Sequence, residues 1–339
     1  MKISRFFTAI LCLALPARAL TACRGTDDSP STVADTTVLT ETALPEAAYD
    51  PAHYVVIREA DDLAAFNRAV NEDEYDFRDM TVVFLNDVDM ADYLWHPLNG
   101  QCLAGVTFDG QGHTVRGLRL PDHQRTESTA TGSGFIDVTT ADITFRHLTL
   151  EDTRVRAFEH SVGNFIGAVR GGAARFEGCR SVGFRAEGRM EPLNGDPATG
   201  GHAVATRMGG FVGYVGTGGT ARFTSCAVEK LTLQGFQNLA GFVGYDGAGT
   251  LSADCFTGCS IREAELTFAY PMAEGYDPDR PEKPVTVFYN AVDWQDTVEA
   301  CLASGNLYQA VIYYDWANDG AAYTPDELRS RARMEDSHD

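Results

Sequence analysis

The sequence predicts an all-β fold, a parallel β-helix with a short N-terminal cap helix and a mixed C-terminal cap. Three observations lead there. The first is a repeat: Gly210-Phe211-Val212-Gly213-Tyr214 returns as Gly241-Phe242-Val243-Gly244-Tyr245, with weaker copies at Gly134-Phe135-Ile136-Asp137-Val138 and Asn164-Phe165-Ile166-Gly167-Ala168. From Phe to Phe the steps are 30, 46 and 31 residues. The long step contains the Pro- and Gly-rich segment 191–201. It therefore reads as one repeat plus an insertion of about 16 residues, a loop on one face of a regular stack. The second observation is a marker downstream, Phe-x-x-Cys, at Phe176 and Cys179, Phe223 and Cys226, and Phe256 and Cys259, with Phe145 and Leu148 in the first copy. The third is the lack of helical periodicity between copies. Each unit reads as a short apolar strand, a Gly-rich corner (Gly171-Gly172, Gly218-Gly219, Gly247 to Gly249), a second β-rich run and another turn. Such a unit cannot bury its own apolar side and needs like neighbours above and below, about 4.8 Å apart.

Taken in order, residues 1–22 read as an export signal. Lys2 and Arg5 precede an apolar run from Phe6 to Leu15 that is too short to span a bilayer. Leu20-Thr21-Ala22-Cys23 resembles a bacterial lipobox, which makes Cys23 the expected lipid-attachment residue; ordinary secretion with cleavage after Ala19 or Ala22 is the other reading. Residues 23–50, rich in Thr, Ser, Asp, Ala and Pro, are too polar to fold and are expected to be a tether. Tyr54 to Arg58 reads as a first strand. Asp61 to Val70, with Leu63, Phe66 and Val70 at helical spacing, reads as the cap helix. Met80 to Leu85 is the next strand.

The following segments carry a resemblance. Asp62-Leu63-Ala64-Ala65-Phe66, Asn86-Asp87-Val88-Asp89-Met90, Trp95-His96-Pro97-Leu98, then Phe108-Asp109-Gly110-Gln111-Gly112-His113-Thr114-Val115 and the Gly-Phe-Val-Gly-Tyr repeats resemble, in that order, bacterial surface proteins with GLUG motifs. The resemblance spans residues 54–268. It implies a right-handed parallel β-helix on an exported protein, adhesin-like or of unknown role. The expected organisation is therefore signal (1–22), tether (23–50), β-helix (51–268) and C-terminal cap region (269–339).

In that last region, Pro284 to Tyr289 and Val311 to Tyr314 read as strands, Trp294 to Leu302 as a short helix, and Pro325 as the start of a closing helix. A cap is one reading. The other is a carbohydrate platform, because Tyr289, Trp294, Tyr308, Tyr313, Tyr314 and Trp316 concentrate aromatic rings there; Tyr289, Trp294, Tyr313, Tyr314 and Trp316 are the candidate ligand-binding residues.

A net charge of −21 over 339 residues argues against nucleic acid as a partner and against charge-driven adhesion to anionic lipid. The expected partners are the membrane, through the N-terminal lipid, and an extracellular glycan or surface protein. Of the cysteines, Cys179, Cys226 and Cys259 share one repeat position and are expected to form an inward ladder of free thiols. A disulfide from Cys255 to Cys259 or to a ladder neighbour stays open. No C-x-x-C pair or His cluster suggests a metal, and no cofactor motif occurs. Asn86 to Asp89 reads as a solvated turn rather than a calcium loop. His113 reads as a corner residue bonded to backbone. An enzyme on the same scaffold, a polysaccharide lyase or glycoside hydrolase, is the rival function. Its carboxylates would come from Asp87, Asp89 and Asp109, but they lie in turns and strand ends rather than in a recognisable catalytic set. The sequence therefore favours a non-catalytic, lipid-anchored surface protein.

Overall fold

The computed structural model describes residues 50–72, 75–120, 132–157, 161–188, 190–192, 201–203, 207–235, 238–268, 307–314 and 322–323. The chain divides into two units, Met1–Thr42 and Ala43–Asp339, and every described residue belongs to the second. Cys23 and the expected signal lie outside the described residues, as does all of the tether except Asp50.

The fold is all-β and its sheets are built almost entirely from parallel strands. A repeat contributes five strands. One supplies Ser161–Gly163, Ile166–Val169, Gly172–Glu177, Arg180–Val182 and Arg185–Gly188. The next supplies Arg207–Gly209, Val212–Val215, Gly219–Thr224, Ala227–Glu229 and Thr232–Gly235 in the same order. Each strand pairs parallel with its equivalent one repeat later: Val162 opposite Met208, Ile166 opposite Val212, Phe176 opposite Phe223, Ser181 opposite Val228 and Ala186 opposite Leu233. The sequence signals only two runs per unit. The strands of three or four residues, with charged outward positions such as Arg185 and Glu187, are too short to register as alternation.

Inside, the rings form two columns. Phe108, Phe145, Phe176, Phe223 and Phe256 stack along the third-strand sheet with successive centroids 4.9, 5.2, 4.9 and 5.1 Å apart and planes within 11°. Beside them Trp95 stacks on Phe135 at 4.8 Å, Phe165 on Phe211 at 4.7 Å and Phe211 on Phe242 at 5.0 Å. The columns meet edge to face, as Phe165 with Phe176 at 77° and Phe211 with Phe223 at 77°. Each such pair adds about 0.5–1.5 kcal/mol beyond simple burial. Two aromatic positions per repeat thus tie each rung to the next and one column to the other.

The glycines of the Gly-Phe-Val-Gly motif have a steric cause. The first and second strands of a repeat are joined by two residues, and the second strand lies so close to the first strand of the preceding repeat that a side chain cannot intervene. A Cβ on Gly213 would stand 2.4 Å from the Val162 nitrogen, and one on Gly244 2.5 Å from the Met208 nitrogen. In the first copy Asp137 takes this position; its carboxylate accepts the Gly100 N–H at 2.9 Å and that of Val138, tying in the short turn Gly100–Leu103.

Left-handed residues make the other corners. Between the third and fourth strands stand His147 (φ 47°), Gly178 (62°), Ser225 (52°) and Gly258 (61°). Between the fourth and fifth stand Gly117 (74°), Asp152 (53°), Gly183 (64°) and Lys230 (53°), and at the equivalent point within the continuous strand Ser260–Phe268 stands Glu263 (52°). The turn is repeated even where no glycine is present to ease it.

Helix α1 (Ala60–Asn71) buries Leu63, Ala64, Phe66, Asn67 and Val70. Phe66 sets its ring edge-on to Phe77 at 4.9 Å and to Phe108, the first ring of its column, at 6.2 Å. Asn67 donates to the His96 carbonyl at 2.7 Å, and Asn71 accepts the Asn99 N–H at 2.9 Å. The helix is thereby stitched to the segment carrying Trp95, whose indole N–H donates to the Phe135 carbonyl at 3.2 Å. At the other end, Leu307–Tyr314 pairs parallel with Ser260–Phe268, and Ala322–Tyr323 adds an antiparallel strand, so the sheet runs on past residue 268. The inserted segment contains its own antiparallel pair, Met190–Pro192 with Gly201–Ala203. The expected elements at 284–289, 294–302 and from Pro325 lie outside the described residues.

Candidate functional site

The second-strand sheet ends in an aromatic shelf. Tyr214 and Tyr245 are opposite each other in register, with ring centroids 6.1 Å apart and planes at 11°. Arg207, opening the first strand of the same repeat, holds its guanidinium 4.3 Å from the Tyr214 centroid and 5.6 Å from that of Tyr245, within cation–π range of both. Glycines make room for the rings: a Cβ on Gly216 would lie 2.9 Å, and one on Gly247 2.7 Å, from ring carbons of Tyr214. All three side chains are half-buried, which fixes them while leaving part of each in reach of solvent. In the preceding repeats the tyrosine position holds Val138 and Ala168, so the shelf belongs to the last two rungs of this sheet. A rigid, stacked aromatic surface with a cation beside it suits the apolar face and hydroxyl rim of a sugar ring.

The sequence contained this site in plain view, since Tyr closes each of the two best motif copies. Its signal is weak, because a tyrosine closing an apolar run does not by itself distinguish an outward ring from an inward one. The aromatic residues the sequence did select are placed differently. Tyr313 and Tyr314 fall on the strand Leu307–Tyr314, opposite Thr267 and Phe268. Tyr289, Trp294 and Trp316, like Cys23, lie outside the described residues.

The carboxylates weighed for catalysis are engaged in local structure. Asp87 accepts the Thr114 N–H at 2.9 Å and faces His113 Nδ1 at 3.3 Å; those bonds, the backbone one first, hold its carboxyl below the ordinary value. His113 bonds backbone through its own N–H, to the Gly110 carbonyl at 2.7 Å, and its ring faces a side chain in the neighbouring rung. Asp89, in the two-residue strand Val88–Asp89, pairs with Arg116 at 3.1 Å, and Asp109 accepts the Gln111 N–H at 3.1 Å. Asn86 to Asp89 is thus part strand rather than wholly turn. Burial raises the Asp137 carboxyl above its ordinary value, against the backbone N–H groups it accepts. Among the described residues no three His, Cys, Asp or Glu side chains converge as a metal would need.

Cys179, Cys226 and Cys259 are buried free thiols in one column with Leu148, and Cys255 is a free thiol as well. Burial first, and then the neighbouring Cys179, pushes the Cys226 thiol far up; for Cys259 the neighbouring Cys226 comes first, then burial. Buried thiols held protonated in this way are poor nucleophiles near neutrality.

No described helix is long and apolar enough to cross a membrane. Comparison with protein-family models, curated proteins and solved structures found no match to this chain.

Proposed function

We propose that this chain is a right-handed parallel β-helix of the GLUG-motif kind, held at the cell envelope by lipid on Cys23, that binds an extracellular ligand along its side without catalysing a reaction. Supporting the architecture is the uniform register: five strands per repeat, each pairing with its equivalent in the next, joined by parallel crossovers, which are overwhelmingly right-handed. The observation that carries the binding role is the Tyr214–Tyr245 shelf beneath Arg207. A stacked pair costing glycines at 216 and 247 is more than core packing requires. The non-catalytic reading draws support from Asp87, Asp89 and Asp109, each occupied in a turn or a lateral pair instead of converging on a groove. The ligand class that suits the shelf best is a glycan.

The test is a glycan-array screen of the full chain carrying Cys23→Ser, beside the same chain with Tyr214→Ala and Tyr245→Ala. Glycan signal that the tyrosine variant loses supports the reading; signal unchanged in that variant refutes the shelf. Labelled palmitate taken up by the natural chain and not by Cys23→Ser checks the anchor.

A further inference from the structure

We infer that Arg119, Arg154 and Arg185 form a docking row for a linear, carboxylate-bearing glycan, a proposal that rests on the glycan reading above and names the ligand's chemistry. The three are vertically adjacent: Arg119 bridges to Arg154, and Arg154 stands opposite Arg185 in a parallel pair. All three are exposed. Their neighbours in the strands, Val155 and Ala186, point inward and are buried, so the arginines share the outer face.

The row is anomalous within its own protein. Other outer columns alternate in sign: Asp109, Arg146 and Glu177 on the third-strand sheet, and Asp89, Arg116 and Glu151 on the fourth. Several of these close as ion pairs, Arg146 with Glu177 at 3.2 Å and Arg116 with Asp89 at 3.1 Å. Even the neighbouring column on the same strands pairs Arg156 with Glu187 at 3.5 Å. The other vertical arginine pair, Arg175 over Arg222, has Asp142 at 2.8 Å on Arg175. Arg154 and Arg185 have no acidic partner among the described residues, and Arg119 donates only to the Ala91 carbonyl. Like charges directly opposite in a sheet are destabilising. Among the described residues the column stands out as positive charge without a facing acid.

An anionic ligand meets it. Parallel pairing spaces the guanidinium stems evenly, about 4.8 Å apart, along the stack axis. The complement is a ligand whose negative groups also recur along a line. The guanidinium fork matches a carboxylate with two parallel hydrogen bonds. The overall negative field of the protein repels polyanions at a distance, so binding depends on this local match and weakens with salt.

The test measures binding of the full chain (Cys23→Ser) to polygalacturonate, to a sulfated glycan and to neutral dextran at low and high salt. Polygalacturonate is expected to bind, to weaken as salt rises, and to lose at least tenfold in affinity in Arg154→Gln/Arg185→Gln. Thr232→Glu, which sets a carboxylate directly opposite Arg185, is expected to weaken it. The glutamine variant is expected to melt no lower than the natural chain, as it removes a repulsion. Failure of polygalacturonate to bind, or binding that the glutamine variant keeps, overturns the proposal, as does tighter binding of the sulfated glycan. Glycan binding lost in Tyr214→Ala but unmoved in Arg154→Gln/Arg185→Gln leaves the shelf standing and the row refuted. Binding of no glycan at all refutes both.

Discussion

Asn164 donates from Nδ2 to Ser181 Oγ at 2.8 Å across the interior, and both side chains are buried. In the next repeat these positions hold Gly210 and Val228 and are apolar; a Cβ on Gly210 would stand 3.1 Å from a Val228 methyl. One rung has thus exchanged a glycine and an aliphatic residue for a hydrogen-bonded pair, and the accepting atom of the amide, Asn164 Oδ1, has no partner among the described residues. Either single change removes a partner: Asn164→Gly strands the Ser181 hydroxyl, and Ser181→Val leaves the amide Nδ2 only its longer bond to the Leu150 carbonyl at 3.4 Å. Each is expected to destabilise by about 1–3 kcal/mol. The double variant, which restores the pattern of the next rung, is expected to be no worse than either single one. Urea denaturation of all four chains in a double-mutant cycle checks this.

Two backbone substitutions should act in opposite directions. Gly213→Ala forces a methyl to 2.4 Å from the Val162 nitrogen and 2.6 Å from the Gly167 carbonyl, both backbone. A loss of at least about 2 kcal/mol is expected. Lys230→Gly relieves a left-handed lysine at φ 53° and is expected to stabilise by about 1 kcal/mol. Thermal melts compare the two with the natural chain.

The pH dependence separates two kinds of carboxylate. Asp142, held below its ordinary 3.8 by Arg175 first and then by the Ala173 N–H, stabilises the fold above 3.8 and loses that effect as pH falls through its folded value. Asp137 has the opposite sign: burial raises it, so its contribution is present below 3.8 and lost as pH rises through its folded value. Asp137→Asn is therefore expected to gain stability over the natural chain near neutrality, and to lose that advantage as pH falls toward 3.8. Asp142→Asn is expected to be less stable near neutrality and equal in acid. Urea midpoints across the pH range read both differences.

Thiol reactivity should follow burial. Cys226 and Cys259, whose thiols are pushed far up, are expected to resist iodoacetamide until the chain unfolds, whereas half-buried Cys102 reacts first among the described cysteines. Mass spectrometry of timed alkylation gives the order. Early labelling of Cys226 would contradict the interior column.

The parts of this fold legible in the sequence are those marked by large rings. Phe135, Phe165, Phe211 and Phe242 announced the repeat, and Phe176, Phe223 and Phe256 with their following cysteines announced the next sheet, because one bulky residue per rung must recur for a column to fill. Helix α1 was legible from Leu63, Phe66 and Val70, since twelve residues suffice for a helical period. The two remaining strands of each repeat were not, because strands such as Arg207–Gly209 and Arg185–Gly188 are too short and too small or charged to show alternation. Trp95 taking the place of a phenylalanine atop Phe135 was invisible for another reason: it enters from a segment outside the repeat. The arginine row depends on register alone. Arg119, Arg154 and Arg185 are unremarkable along the chain and meaningful only when superposed.

Cross-linking tests the stacking of rungs most directly. Thr144 and Arg175 stand opposite each other in adjacent rungs, while Arg222 is one rung further on. Parallel strands put the Cα atoms of the first pair about 4.8 Å apart and those of Thr144 and Arg222 roughly 9.6 Å apart, and a disulfide spans only about 4.4–6.8 Å. Under mild oxidation, Thr144→Cys/Arg175→Cys is predicted to form the bond in nearly every molecule and Thr144→Cys/Arg222→Cys in almost none. Equal yields from the two pairs, or a bond only in the second, would contradict rungs piled in this register.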